Sequence, residues 1–455
     1  MAGDARRLPT MAALSRGELL RRSIHLGAGV LAFTLRFLGP WQSALLPLAG
    51  LLFNLLLLPR LGGRRLWRAV ELRAGRSLGI IFYPFSVLLL ILIFHRRLEV
   101  AAAAWGLLAF GDGTASLLAG VWRGPRLPWN REKSWLGSGA CWLFGSAAAA
   151  ALLLWTAPGR YDVPFALGVA AAAGLVAALV ESSPQRLDDN LGVPLVGGLA
   201  LACLLQTQGA WDGLWSAGLL GRLAIGLAIN LVLAALAYAA RVVDRSGGLA
   251  GLVLGTVIWA FLGGGGWALL VAFLVVGAGS TRVGYSRKLA TGLAERRGGR
   301  RGAANAVANA AVAAACALLA GAVPEGGIYT FAFVGSLAAA AADTAESEIG
   351  LLWGGRPVLI TSLRPVPPGT DGGVTLMGTG AGLAAAALVA ASGWGAGLIG
   401  ASAVPWIALA GLLATAVESV VGATIERRGL LDNHAVNFVN TLTGALLGAV
   451  MALPL

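Results

Sequence analysis

The sequence predicts an all-α polytopic membrane protein with about 15 transmembrane helices, arranged as two parallel repeats of about seven and joined by one extra span. The 455 residues are 57% hydrophobic and only 12% charged. Apolar runs long enough to cross a bilayer recur along the whole chain, whereas a transmembrane β-barrel would show short alternating strands. Abundant glycine and alanine suit close helix contacts in lipid.

The apolar runs set the bounds of each predicted element. The segment before Arg21-Arg22 contains no apolar core, so we expect no cleavable signal peptide. We predict a first domain over 1–210, a linking span over 211–241 and a second domain over 242–455. The predicted spans are 23–39, 41–58, 79–94, 99–121, 135–156, 162–183, 191–207, 214–240, 247–262, 264–281, 303–322, 328–352, 374–391, 398–420 and 434–454.

Basic residues orient the spans. Loops 59–77, 122–134 and 282–301 hold six, four and seven Lys or Arg, and the alternation of spans places all three on the side of the N-terminus. Because cytoplasmic loops carry an excess of Lys and Arg, this face is predicted to be cytoplasmic. The net charge of +13 is therefore interpreted as topogenic, with no nucleic-acid partner. Arginine clusters on this face can also bind phosphates.

An aspartate inside an apolar span occurs twice. Asp112 lies in Phe110-Gly111-Asp112-Gly113-Thr114-Ala115-Ser116, and Asp343 lies in Ala342-Asp343-Thr344-Ala345-Glu346-Ser347. A carboxylate at membrane depth is costly unless it is paired or hydrated, so it indicates a functional site. The alternative is a polar residue that packs helices together. Two copies favour a duplicated chemical site.

Other short signals follow the same order in each half. Each half begins with Arg-Ser near a span, and each later has Glu-Ser at a span end followed by Asp-Asn before the final span. These pairs are Arg22-Ser23 and Arg245-Ser246, Glu181-Ser182 and Glu418-Ser419, and Asp189-Asn190 and Asp432-Asn433. Internal repeats also build many transporters, so the duplication alone does not select a function.

The first half offers a candidate nucleotide site. Lys133 and Ser134 precede Gly137 and Ser138, and an ammonium, hydroxyls and glycines can together cradle phosphate. The spacing is not that of a Walker A motif, and a helix N-cap at Ser134 is an equal alternative. Nucleotides arrive with Mg²⁺, which binds carboxylate and phosphate oxygens. The carboxylates predicted to bind it are Asp112 and Glu181.

The second half has a denser set of acidic and polar residues. Helical spacing places Asp343 and Glu346 on one face, with Glu348 close by in sequence. A glycine-rich loop can present its backbone N–H groups to phosphate. Asparagine pairs one helical turn apart can face the same site, although amides also join helices in lipid. The loop residues are Gly369, Thr370, Asp371, Gly372 and Gly373, and the asparagines are Asn305, Asn309, Asn437 and Asn440.

Short motifs carry a resemblance to known families. In the first half they are Arg22-Ser23-Ile24-His25-Leu26-Gly27, Gly111-Asp112-Gly113-Thr114-Ala115 and Lys133-Ser134-Trp135-Leu136-Gly137-Ser138. In the second half they are Arg301-Gly302-Ala303-Ala304-Asn305-Ala306-Val307-Ala308-Asn309, Asp343-Thr344-Ala345-Glu346-Ser347-Glu348-Ile349-Gly350, Gly369-Thr370-Asp371-Gly372-Gly373-Val374 and Glu418-Ser419-Val420-Val421-Gly422-Ala423.

The first half, over about 15–207, resembles the phytol/dolichol kinase family of CTP-dependent polyprenol kinases, which is related to the CDP-diacylglycerol synthases. The family's usual basic pair before the histidine reads Arg22-Ser23 here, so one positive charge is absent. The second half, over about 240–455, resembles the membrane family that includes plant phytyl-phosphate kinase.

The resemblances imply a two-step kinase. The first half would phosphorylate an isoprenoid alcohol with CTP and Mg²⁺, and the second would convert the prenyl monophosphate to the diphosphate. The resemblances imply that His25 is a base or hydrogen-bonding residue and that Arg22 and Arg245 are transition-state clamps. They imply nucleotide contacts for Lys133 and Ser134 and for the loop 369–373. The implied metal ligands are Asp112, Glu181, Asp343, Glu346, Glu348 and Glu418.

Two other functional classes remain open. A cytidylyltransferase that forms a CDP-lipid would use the same CTP and Mg²⁺ features. A secondary transporter of an anionic solute would also show repeats and intramembrane acids, but near the membrane midplane. The Ala, Gly and Arg bias is typical of a GC-rich prokaryotic genome, so the prokaryotic plasma membrane is the expected location.

Overall fold

A computed structural model describes residues 16–61, 78–122, 124–184, 188–290, 292, 300–324 and 326–452. The chain folds as two compact units, Met1–Gln208 and Gly209–Leu455. Among the described residues, 11 helices are long and apolar enough to cross a membrane, which confirms a polytopic all-α membrane protein. The total of fifteen spans, the repeat layout and the kinase-like domains remain predictions.

Some predicted features lie outside the described residues. They are the predicted cytoplasmic N-terminal residues 1–15, residues 62–77, 123, 291 and 293–299 of the basic loops, and residues 453–454 of the last predicted span.

Unit 1 consists of helices whose bounds follow the apolar runs. Short 3₁₀ turns extend two of them, at Leu31–Arg36 and Leu205–Thr207, and π-helical turns occur at Phe53–Leu57 and Leu107–Asp112. The α-helices are α1 Arg16–Val30, α2 Pro40–Leu52, α3 Leu78–Ile93, α4 Leu98–Gly106, α5 Gly113–Val121, α6 Trp135–Thr156, α7 Val163–Ser182 and α8 Asp189–Leu204.

The span Leu98–Val121 is the centre of unit 1. It joins α4, the π turn and α5, and 72% of its most apolar stretch is buried inside the protein. Small residues permit this burial, since a Cβ atom at Gly106 would lie 2.8 Å from Leu152 Cδ1 on α6. Leu98–Val121 is the most deeply buried candidate span of unit 1, so Asp112 lies on the innermost helix of the unit.

Unit 2 is also built around one buried helix. Its α-helices are α9 Trp211–Ser216, α10 Leu219–Ala239, α11 Arg245–Arg282, α12 Tyr285–Ala290, α13 Ala303–Ala322, α14 Gly327–Trp353, α15 Leu376–Gly395, α16 Val404–Val421 and α17 Asn433–Val450. The α14 span is 67% buried, again the highest value among the candidate spans of its unit. Its Gly335 is essential for packing, because a Cβ atom there would lie 2.4 Å from the Gly444 carbonyl oxygen on α17.

Helix α11 contains a reversal of the chain. Gly263 has φ 63° and ψ −155°, which is not helical. Positions before and after Gly263 reach the same side chain, Asn230. The Trp267 indole donates to Asn230 Oδ1 at 3.1 Å, and a Cβ atom at Gly255 would lie 2.1 Å from this oxygen. Twelve residues of continuous helix would separate these positions by roughly 18 Å. Two antiparallel arms therefore occupy the predicted spans 247–262 and 264–281.

Two local features differ from the sequence prediction. The predicted span 214–240 is broken at Gly218, whose φ of 80° separates α9 from α10. Before α15, the chain forms a short antiparallel pair, β1 Val358–Leu359 with β2 Gly373–Val374. Glycine is needed at 218 because left-handed backbone is costly for residues with a Cβ atom.

Candidate active site

The π-helical turn of unit 1 presents Asp112 between two glycines. A Cβ atom at Gly111 would lie 3.2 Å from the Cys141 carbonyl oxygen on α6. A Cβ atom at Gly113 would lie 2.9 Å from Leu26 Cδ2 and 3.1 Å from His25 Cδ2 on α1. The glycines therefore let two helices approach the carboxylate from opposite sides. Single π turns inside α-helices occur frequently at functional sites.

Three carboxylates converge beside this turn. One oxygen from each of Asp112, Glu181 and Asp189 lies within 4.8 Å of the others, and no other such group of three occurs in the described part of the chain. Asp112 and Glu181 come from the sequence prediction. Asp189 was missed as a ligand, although its Asp-Asn pair recurs at Asp432. This compact all-oxygen donor set fits a divalent cation such as Mg²⁺.

Lys133 is the counter-charge of the cluster. Its ammonium donates to Glu181 Oε1 at 2.6 Å and to Asp189 Oδ2 at 2.7 Å, while Ser138 Oγ donates to Glu181 Oε2 at 3.1 Å. Burial alone would lower the pKa of the Lys133 ammonium. The attraction of the Asp189 and Glu181 carboxylates is stronger than this effect, so the pKa is raised above its usual value. The predicted phosphate-binding residues Lys133 and Ser138 thus contact the predicted metal-binding residues directly.

Ser134 and Gly137 form the N-terminal cap of α6. Ser134 Oγ accepts a hydrogen bond from the Gly137 N–H at 3.1 Å, so Ser134 is the N-cap of α6. This confirms the alternative interpretation of Ser134. The cap also holds Lys133, the preceding residue, at the edge of the carboxylate cluster.

His25 lies on the other side of Asp112. Its Nε2 is 3.8 Å from Asp112 Oδ2 and 3.2 Å from the Leu108 carbonyl oxygen. The Tyr83 ring packs edge-on against the imidazole, with ring centres 4.6 Å apart, and the Trp105 indole donates to the Tyr83 hydroxyl at 3.0 Å. These contacts fix the ring next to the carboxylate. Arg22 is half-buried one helical turn before His25 on α1.

A cavity of about 330 Å³ opens beside His25. Its size lies at the lower end of the range for small-molecule pockets. The imidazole therefore stands between an apolar chamber and the carboxylate cluster. The chamber is lined mostly by apolar side chains of α1 to α4 and of the π turn after α2, including Ile24, Leu46, Phe53, Ile80, Val87 and Trp105.

Unit 2 brings together part of its predicted set. The carboxyl groups of Asp343 and Glu418 hydrogen-bond to each other, and Glu346 and Glu426 lie close enough to interact with Glu418 electrostatically. Neighbouring carboxylates repel each other unless a proton or a cation lies between them. The Thr379 hydroxyl donates to Glu346 Oε1 at 2.9 Å. Glu426 was not predicted from the sequence.

The glycine-rich loop packs against α16 next to Glu418. Gly372 has φ 74°, and a Cβ atom there would lie 2.5 Å from the Ser419 carbonyl oxygen, next to Glu418. Gly373 N–H donates to the Thr370 carbonyl oxygen at 2.9 Å, which closes a turn. Gly369 and Asp371 are exposed in this turn. The predicted loop therefore lies at the predicted acidic site.

Other predicted residues of unit 2 have separate contacts. Glu348 pairs with the buried Lys288. Asn440 Nδ2 donates to the Ala339 carbonyl oxygen at 3.1 Å and so joins two helices, as the alternative interpretation expected. The remaining predicted residues lie on the inner side or at the end of a helix: Asn305 half-buried, Asn309 buried, Asn437 buried and Arg245 exposed at the start of α11.

The geometry defines an integral membrane protein with carboxylate sites on its buried helices. The chain matches the family described as Integral membrane protein DUF92 over residues 228–445. It is 39% identical to an uncharacterised membrane protein of Synechocystis sp., over 42% of this chain and 76% of that protein. The chain therefore belongs to the DUF92 family of integral membrane proteins.

Two plant relatives extend the comparison. The chain is 33% identical to Protein VTE6, chloroplastic, of Arabidopsis thaliana over 46% of this chain and 65% of that protein. It is 33% identical to a probable chloroplastic phytol kinase of Zea mays over 29% of this chain and 45% of that protein. These matches confirm the family resemblances inferred from the motifs. No solved structure matches the chain.

Proposed function

We propose that the protein is a membrane kinase that phosphorylates an isoprenoid alcohol in unit 1 and the resulting prenyl monophosphate in unit 2. CTP is the proposed donor, Mg²⁺ the proposed metal and a prokaryotic plasma membrane the proposed location. The observation that carries the proposal is the position of His25 between an apolar cavity and a carboxylate cluster. The relatives named phytol kinase support the same substrate class.

In unit 1 the prenol chain occupies the cavity and its hydroxyl lies at His25. The hydroxyl oxygen forms a bond to the γ-phosphorus of CTP, the bond from this phosphorus to the β,γ-bridging oxygen breaks, and CDP leaves. The hydroxyl proton passes to the imidazole, whose positive charge Asp112 stabilises at 3.8 Å. Phosphoryl transfer depends mainly on positioning and charge neutralisation, which these fixed side chains supply.

The residues around Lys133 match the nucleotide's requirements. Asp112, Glu181 and Asp189 would hold Mg²⁺, which when bound neutralises phosphate charge. Lys133 already bridges two of these carboxylates, so its ammonium lies where the negative charge of a nucleotide would concentrate. Ser138 orients Glu181 through its hydrogen bond.

In unit 2 the acceptor is a phosphate. A phosphate oxygen is already ionised, so it needs no strong base, and Gly248 occupies the position in the sequence repeat that corresponds to His25. Asp343, Glu346 and Glu418 would hold the second Mg²⁺, with the turn 369–373 packed beside them. A glycine at the position corresponding to His25 and the presence of an acidic cluster both fit phosphorylation of an anionic amphiphile.

The position of the isotope in the lipid product tests the proposal. Detergent-purified protein is given geranylgeraniol, Mg²⁺ and CTP labelled at either the α- or the γ-phosphorus, and lipids are separated by thin-layer chromatography. We expect γ-label in a monophosphate and then in a diphosphate. Incorporation of the α-label would identify a cytidylyltransferase instead. No labelled lipid from phytol, geranylgeraniol or farnesol, with folded protein, would reject kinase activity.

A further inference from the structure

Arg301 is a buried cation in unit 2 with a firmly fixed backbone. It lies just before α13, and its side chain and backbone together are only 9% exposed. Its N–H donates to the Val242 carbonyl oxygen at 3.0 Å, and its carbonyl oxygen accepts from the Asp244 N–H at 3.0 Å. Gly247 makes this approach possible, because a Cβ atom there would lie 2.2 Å from the Arg301 carbonyl oxygen.

The guanidinium of Arg301 has no anionic partner within the described ranges. Lys133, Lys288 and Arg97 all pair with carboxylates, whereas no carboxylate or carbonyl of the described residues accepts from the Arg301 side chain. Gly277 leaves room for the guanidinium, since a Cβ atom at this position would lie 2.8 Å from Arg301 Nη1. A buried charge without a partner costs several kcal/mol. A buried charge of this kind inside a membrane protein indicates a functional site, at which the charge binds a ligand.

A small apolar cavity adjoins Arg301. It has a volume of about 70 Å³ and lies between α10, both arms of α11 and the start of α13. Asn309 also lines it, is only 4% exposed, and its Oδ1 has no hydrogen-bond partner in the described part of the chain. The N-terminus of the 20-residue helix α13 begins two residues after Arg301, and helix N-termini favour anions.

We propose that Arg301 binds the phosphate of a phosphate monoester carried by an isoprenoid chain, whose first carbons occupy the adjoining apolar cavity. A guanidinium can bind two phosphate oxygens at once, which suits an anion that must be held in one orientation. Asn309 Oδ1 accepts a hydrogen bond from a protonated phosphate oxygen. The identity of the apolar chain rests on the proposed function, whereas the phosphate contact does not.

The position of Arg301 relates this subsite to the acidic cluster. Ala308 on α13, about two helical turns after Arg301, accepts a hydrogen bond from Thr441 on α17, and the adjacent Asn440 donates to Ala339 on α14. Ala339 precedes Asp343 by four residues, which is about one helical turn. A phosphate held at Arg301 would therefore lie on the side of α14 that leads to the predicted metal ligands. Arg301 is a binding residue for the acceptor, separate from the turn 369–373.

Binding without nucleotide tests the assignment separately from kinase activity. The full chain in detergent, without CTP or Mg²⁺, is titrated by calorimetry with geranylgeranyl monophosphate, geranylgeraniol, inorganic phosphate and phosphatidic acid. We expect the monophosphate to bind and the alcohol and inorganic phosphate to bind at least about tenfold more weakly. Equal binding of phosphatidic acid or of inorganic phosphate would overturn the assignment to an isoprenoid monoester, even if the enzyme turned over.

Three variants locate the binding. Arg301→Gln and Gly277→Ala should each weaken monophosphate binding at least about tenfold, the first by removing the charge and the second by displacing it. Arg282→Gln, which removes an exposed charge at the end of α11, should bind as the wild type does. Ligand-free Arg301→Gln should melt at or above the wild-type temperature, because a buried unpaired charge is gone. Wild-type affinity in both test variants would overturn the proposal.

A structural role for Arg301 has a different signature. If Arg301 only supported the fold, Arg301→Gln would lower the melting temperature, and the wild type would show no rise in melting temperature with the monophosphate. That pair of results would also overturn the proposal. Gly277→Ala keeps the arginine, so it provides the binding test if Arg301→Gln fails to fold.

Discussion

Replacing Lys288 by Met is expected to destabilise unit 2 strongly, whereas replacing Lys288 and Glu348 together is not. Lys288 is 2% exposed, donates to the Thr281 carbonyl oxygen at 2.9 Å and forms an ion pair with the Glu348 carboxylate, whose side chain is 10% exposed. Removing one partner of such a buried pair costs about 3–5 kcal/mol, because the other charge remains buried. Replacing both by Met is close to neutral for the free energy of unfolding.

The assay is a denaturant titration of the detergent-solubilised full chain, followed by circular dichroism. Lys288→Met should lose about 3–5 kcal/mol, and the Lys288→Met/Glu348→Met variant should recover most of it, which gives a large coupling energy. Arg282→Gln is the control for loss of an exposed positive charge. A loss below about 1 kcal/mol in Lys288→Met, the size of an ordinary surface change, would refute the buried-pair reasoning.

The same double variant decides the role of Glu348. If Glu348 only neutralises Lys288, the double variant keeps the phosphorylation of added prenyl monophosphate. If Glu348 binds the metal, as its position in the sequence motif implied, the double variant loses this step while remaining folded. Product analysis of the monophosphate reaction, beside the unfolding curve, separates the two outcomes.

The other predictions concern the order of the steps. Asp112→Asn should abolish phosphorylation of the free alcohol and leave that of added monophosphate, and Asp343→Asn should accumulate monophosphate; equal loss of both steps in each variant would contradict the two-site assignment. Gly113→Ala should lower kcat for the alcohol by about tenfold, because its Cβ atom would press on the His25 ring 3.1 Å away. Gly27→Ala, with open space around its Cβ position, is the control, and equal kcat values would exclude the effect.

The membrane class and the two innermost aspartates could be predicted because they depend on local sequence. Hydropathy reports each span independently, and an acidic residue inside a span is visible without knowledge of packing. Asp189 could not be assigned in this way. It stands at the start of α8, where an acidic residue is ordinary helix chemistry, and its contact with Lys133 joins residues 56 positions apart. Only the packing of the helices shows that its carboxylate completes the cluster.

Glu348 is close to Glu346 in sequence but lies on a different face of the helix. Residues two apart on a helix point about 200° from each other, so Glu348 faces away from the side that carries Glu346. The chain uses arginine almost everywhere and lysine only at 133 and 288, and of these only Lys133 was predicted from the sequence to contact phosphate. The structure gives each a carboxylate partner: Lys133 lies among three carboxylates, and Lys288 pairs with the buried Glu348.

Arg301 shows why burial, rather than residue type, distinguishes the basic residues of this protein. In the sequence it is one of seven Lys or Arg in the loop 282–301, where topogenesis explains every charge. Topogenesis requires only that a charge stay on the cytoplasmic side, and it gives no reason to bury one beside Gly277 and an unpartnered asparagine oxygen. An arginine whose only role was to orient the spans in the membrane would remain hydrated. Its burial therefore requires a separate cause, and a bound anion supplies one that calorimetry can detect.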